Sequence, residues 1–194
     1  MGFAISATAA NAKELFQKMQ EVITKFIEKY GSHRMAYSVL TFGSTPTIHV
    51  RFRDPTSSDD LLMQYVANIP QNPGTASLDK ALEGARDLFK ASNGARSNAL
   101  KVLVVITDKK SDSMAQNVKK EAQILDGRKI RVIGVALGDE VENELDGVTD
   151  VRDDVLNTTD TASSAKIVEK VLERLLDSKF RSLFFYLVPL RTVQ

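Results

Sequence analysis

An α/β architecture is predicted, doubly wound around a mostly parallel central sheet with one antiparallel edge strand and helices on both faces. Three observations predict it. The segments KVLVVIT (101–107) and IRVIGVALG (130–138) are apolar without polar alternation, the mark of strands buried on both faces under flanking helices. Between such runs, apolar residues recur at three- and four-residue steps, the period of a half-buried helix. Only Gly43-Ser44 separates the runs MAYSVLTFG and TPTIHVRF, a connection short enough for a hairpin and so for one antiparallel strand.

The elements follow in order. GFAIS opens the chain as a short apolar strand. From Ala12 to Tyr30, Leu15, Phe16, Met19, Val22, Ile23, Phe26 and Ile27 mark an amphipathic helix. The hairpin strands span Met35 to Gly43 and Thr45 to Phe52, and His49 reads as an ordinary strand residue. DDLLMQYVANI is a short helix with Ser57 or Ser58 as its cap, and PQNPG a loop. SLDKALEGARDLFKA is a helix that Ser77 is placed to cap, with Asp79 in the first turn where the helix dipole favours an acid. SNGARSN is a turn before the strand KVLVVIT, and SMAQNVKKEAQIL a helix ended by the turn DGRK. After IRVIGVALG come a helical turn (VENELDGV), a short strand (DDVLNT) and a closing helix (TASSAKIVEKVLERLL) with Thr161 or Ser163 near its cap. In a doubly wound sheet with its switch point between the first and fourth strands, the loops after FAIS and VVIT lie side by side, which nominates Ser6 to Asn11 and Asp108 to Ser111 as a ligand crevice.

Composition narrows the function classes. A chain of 194 residues reads as one domain, large enough to bury roughly 70% of its unfolded surface. Its net charge of +1 offers no basic stripe for nucleic acid. With no cysteine, disulfides, thiol catalysis and Cys-ligated zinc are excluded. MGFAIS has neither the charged start nor the apolar length of a signal peptide, and LFFYLVPL (183–190) is far too short to span a bilayer. Asn157 opens an N-T-T glycosylation tripeptide, a pattern frequent by chance.

Enzyme readings find little. The two histidines, His33 in a loop and His49 on an edge strand, form no nucleophile–base constellation. GSHRM and PGTAS lack the spacing of a phosphate-binding loop. The acids of DEVENELDGVTDVRDD fail the EF-hand spacing and read as a solvated face. Residues 1–177 are expected to form the domain, and 178–194 an apolar tail or linker. That tail is expected to fold back on the domain's own surface, or alternatively to serve self-association, because its aromatic run is ill suited to water.

The segments FAISATAANAKELFQKM, NPGTASLDKAL, VLVVITDKKSDS and RKIRVIGVALGDEVENELDGV, taken in order, resemble the von Willebrand factor type A domain, whose relatives include the integrin inserted domains. The resemblance covers roughly residues 3 to 177. It implies a Rossmann-like fold and a metal-ion-dependent adhesion site. That site draws an Asp-x-Ser-x-Ser from the end of the first strand, a Thr from the loop before the third helix and an Asp from the end of the fourth strand. Aligned on Phe16, the first three positions here are Ser6, Thr8 and Ala10. Thr75 or Ser77 answers to the Thr, and Asp108 to the final acid, followed by Lys109 and Lys110 where the family has Gly next.

Mg²⁺ gives up water reluctantly and needs carboxylates to compensate. A neighbouring ammonium opposes it by several kcal/mol at ~4–6 Å in an effective dielectric of ~20. The site is therefore expected to be vestigial, with Lys109 or Lys110 as the counter-charge of Asp108 and no obligatory cofactor. Mg or Ca held weakly near Asp108 is the alternative. The resemblance implies a non-enzymatic module that binds a protein ligand or matrix component in adhesion or extracellular-matrix assembly, without nucleic acid and without membrane insertion. An extracellular or secreted location is expected over a cytoplasmic one. The competing readings are metal-dependent adhesion and an intracellular scaffold of a multi-protein complex.

Overall fold

The computed structural model describes residues 1–8, 13–54, 58–71, 74–138, 141, 145, 147–149, 154–158 and 163–176. The strands are β1 (Gly2–Ser6), β2 (Ser38–Phe42), β3 (Pro46–Val50), β4 (Lys101–Thr107), β5 (Ile130–Leu137) and β6 (Val155–Thr158). The helices are α1 (Lys13–Tyr30), α2 (Asp59–Ala67), α3 (Leu78–Leu88), α4 (Ala115–Gly127) and α5 (Ser164–Leu176). One sheet holds the strands in the order β3-β2-β1-β4-β5-β6, parallel throughout except for the antiparallel β2–β3 pair at one edge.

Strand alternation divides the core into two layers. Phe3 and Ile5 of β1, Val102, Val104 and Ile106 of β4, and Ile133, Val135 and Leu137 of β5 face a layer closed by α1, α2 and α5. Ala4, Leu103, Val105, Val132 and Ala136 face a layer closed by α3 and α4. Every one of these strand residues has an apolar neighbour on its own side, which is why the central strands carry no polar alternation.

Element ends moved where local chemistry competed with periodicity. The expected strands at 35–43 and 45–52 shorten to Ser38–Phe42 and Pro46–Val50; just before β2, the buried Tyr37 donates its hydroxyl to Phe26 O (3.0 Å). Between Val39 and Leu40 the β2–β3 register shifts. His49 is the extra residue of that bulge, and its Nε2 lies 2.8 Å from the buried Thr41 hydroxyl, so it is more than a bystander. Ser58 rather than Ser57 caps α2, accepting from Leu61 N (3.2 Å). The other end of α2 is held by Gln20, whose Nε2 donates to the carbonyls of Val66, Ala67 and Ile69. Ser163 Oγ accepts from Lys166 N at the start of α5; Thr161, the other expected cap, lies outside the described residues. At the far edge, Arg131 of β5 grips the buried Asp154 through two bonds of 2.8 and 2.6 Å. The expected helical turn at 141–148 is described only in part, and its Val141, Leu145 and Val148 are buried in the α3–α4 layer. The tail 178–194 lies outside the described residues.

Candidate functional site

Because β1 and β4 are adjacent and parallel, their carboxyl ends deliver two loops to one crest of the sheet, the usual place for a ligand in this architecture. β2 pairs with the other side of β1 and brings a third loop beside them, and Ala7 N extends that pairing to Phe42 O (2.9 Å). The predicted site residues then separate by depth. Ser6 is fully buried at the last position of β1, Thr8 is buried two residues on, and Asp108 is 8% exposed just beyond β4. Thr75 is exposed above them. Lys109 is half-buried and Lys110 exposed. Ala10 lies outside the described residues.

The loop after β4 is tightly built. The Thr107 hydroxyl donates to Lys109 O (3.1 Å) and accepts from Lys109 N (3.3 Å), turning the chain directly after the strand. Beyond the turn this loop clamps onto the start of α3. Ser111 Oγ accepts from Leu78 N (2.9 Å) and Ser113 Oγ from Asp79 N (3.1 Å), while Ser113 Oγ donates to Asp79 Oδ1 (2.5 Å). Asp112 N adds a bond to Ala76 O (2.9 Å).

This corrects the expectation that Ser77 caps α3, for its side chain makes no cap bond. It also corrects the start of the next helix: α4 begins at Ala115, and Ser113 belongs to the clamp. A helix N-terminus leaves several N–H groups to be satisfied from outside, and here the satisfying hydroxyls come from a loop more than thirty residues away. Their types were visible in the sequence, but nothing in it states the pairing.

The third loop holds the segment that leads into α3. Thr75 N donates to Ser44 Oγ (3.3 Å), and Gly74 beside it has φ +137°, with room so tight that an added Cβ would lie 2.5 Å from Ser44 Oγ. Only glycine meets both demands at this turn. Met114, 74% exposed between the clamp and α4, stands on the same crest and was not singled out by sequence reasoning.

Beneath the exposed Thr75 the crest holds the buried Ser6 and Thr8 hydroxyls and the buried Asp108 carboxylate. Among the described residues no three His, Cys, Asp or Glu side chains stand together as a metal-holding group; at the positions that answer to the family site, the described oxygen groups are the Ser6, Thr8 and Thr75 hydroxyls and the Asp108 carboxylate. Over residues 3–173 the chain matches the family model of the von Willebrand factor type A domain, and it belongs to that family.

Among curated relatives, mouse integrin alpha-M is 34% identical over 94 residues, covering 48% of this chain. The mouse collagen alpha-4(VI) chain is 24% identical over 179 residues, covering 91%. The rabbit collagen alpha-1(XII) chain is 32% identical over 118 residues, covering 60%. The chain spans only 8%, 8% and 18% of those proteins, respectively. Among solved structures, proximal thread matrix protein 1 from the mussel byssus superposes with a TM-score of 0.75 at 18% identity, over 88% of this chain and 45% of that one. A form of it with a zinc-occupied MIDAS motif gives 0.74 at 20% identity, over 89% and 44%. At such identities the likeness is one of fold.

Proposed function

We propose that this domain is a non-enzymatic protein-interaction module of adhesion or extracellular-matrix assembly, acting outside the cell and binding through its crest without a metal ion. The observation that carries the reading is the donor set: where the family site presents two carboxylates to a dication, the corresponding described positions here hold Asp108 with neutral hydroxyls. A single carboxylate among neutral hydroxyls compensates the dehydration of Mg²⁺ poorly, and Lys109 and Lys110 add positive charge nearby. In this reading the two lysines balance Asp108 diffusely, and the ligand, a protein or matrix component, meets the exposed Thr75, Lys110 and Met114. Integrin and collagen relatives support the adhesive role and the extracellular setting.

A metal-dependent reading draws on one observation, the zinc-occupied motif of a fold neighbour, together with the retained Thr8, Thr75 and Asp108. Thermal melts in Mg²⁺, Ca²⁺ or Mn²⁺ decide between them. Specific binding would stabilise the fold by RT ln(1 + [L]/Kd), about 2.7 kcal/mol at a hundredfold excess over Kd. No shift is expected at millimolar ion, and adhesion to immobilised fibrillar matrix protein should survive EDTA but not Thr75→Arg. A saturable stabilisation that disappears in Asp108→Ala would overturn the metal-free reading.

A further inference from the structure

Among the described residues three large apolar side chains are more than half exposed, and two of them share one helix: Leu61 at 52% and Tyr65 at 54%. Four residues apart on α2, they form one apolar face, turned away from Leu62 and Val66, which α2 buries in the α1 layer. We propose that this face is covered by the chain's own apolar run Leu183–Leu187, beyond α5 in sequence.

Reach is the first argument. α1 packs against both α2 and α5 on one side of the sheet. α1 descends from the crest, and Ser164 at the start of α5 donates to Glu21 halfway along it (3.2 Å), so α5 ends near the end of α1. α2 starts at that same edge, for Ser32 N, just past α1, donates to Asp59 Oδ1 (2.8 Å). The seven residues from Leu176 to Leu183 span at most ~23–25 Å at ~3.3–3.6 Å each. Crossing from α5 over α1 to α2 takes two helix spacings of ~8–10 Å. The chain is long enough, with little slack.

Charge and chemistry agree with that path. Lys179 and Arg181 precede the apolar run, and Asp59 and Asp60 precede Leu61, so opposite charges arrive together when the apolar residues meet. Leu183, Phe184, Phe185, Tyr186 and Leu187 form a run whose exposure to water is unfavourable, and burying both apolar surfaces at once removes two such costs. Pro189 follows directly, so an extended segment is limited to the residues before it.

The chain has no cysteine, so an introduced pair reports proximity without background. In the full chain, Gln64→Cys beside the α2 face and Ser182→Cys at the head of the run leave every apolar residue intact. Under mild oxidation this pair should close an intramolecular disulfide at least ~10-fold faster than a Lys110→Cys, Ser182→Cys control, whose crest position is at the opposite end of the sheet. A disulfide-linked dimer, or closure no faster than the control, overturns the proposal.

Melting temperature gives the second readout. Leu61→Ser with Tyr65→Ser, and Phe184→Ser with Phe185→Ser, should each lower it, while the fourfold variant melts little below either pair. Additive losses would show that the two segments do not touch.

Discussion

His49 is the extra residue of the bulge between β2 and β3, half-buried, with its ring nitrogen against the Thr41 hydroxyl. Burial pushes its pKa below the ordinary 6.5, because desolvation disfavours the imidazolium. The fold therefore favours the neutral ring, and the unfolded chain takes up the proton first as pH falls. The stability from this preference is complete above about pH 6.5 and is lost as pH falls towards and through the lowered folded value. Between about pH 7.5 and about pH 5, the melting temperature of the native chain should drop more than that of His49→Gln, which keeps a polar partner for Thr41 without titrating. Parallel curves for the two proteins would show that the bulge carries no pH dependence. The sequence places His49 on an edge strand but does not show the bulge, because a bulge is set by cross-strand register, which no run of residues displays by itself.

At the scale of elements, helix periodicity was legible and helix termini were less so. The apolar positions expected for α1 are buried as expected, except Leu15, which is only partly so. The start of α3 went otherwise: Ser77 stands at the cap position with a fitting residue type, yet Ser111 and Ser113 accept from the first helical N–H groups. A test follows directly. Ser77→Ala should leave stability within about 0.5 kcal/mol, whereas Ser111→Ala should cost about 0.5–2 kcal/mol, the usual loss for a removed cap. Because the same hydroxyls tie the loop after β4 to α3, Ser111→Ala should also speed amide exchange at 108–113, read by hydrogen–deuterium exchange. Equal losses for the two variants would mean that the clamp adds nothing beyond local capping.

For the molecule as a whole, strand order positions the candidate crest. Placing β1 between β2 and β4 sends the loops that carry Thr8, Ser44 and Asp108 off the same end of the sheet. If that scaffold keeps the family's loop geometry, Ser6→Asp with Ala10→Ser should restore the oxygen ligands, and Lys109→Gly should remove the opposing ammonium. The triple variant should then gain a divalent-cation stabilisation of about 2.7 kcal/mol at a hundredfold excess over Kd, read as a rise in melting temperature. A folded triple variant that ignores Mg²⁺ and Mn²⁺ would mean that the loops have departed from that geometry.

The sequence by itself determined the strand–helix alternation, the two doubly buried strands, the hairpin edge and the side-by-side placement of the loops after β1 and β4. These rest on short-range periodicity and on the few handed connections an α/β sheet allows, so adjacent residues carry the information. It also showed which charges stand at the crest positions, since residue identity alone decides whether a carboxylate is there. The tertiary structure alone decided depth and partnership: that Ser6 and Thr8 are covered while Thr75 and Met114 face the solvent, that Ser111 and Ser113 cap a helix from a distant loop, and that α2 leaves Leu61 and Tyr65 exposed. Each of these depends on contacts between residues far apart in the chain, where packing fixes which hydroxyl meets which N–H and which apolar face is left without a neighbour.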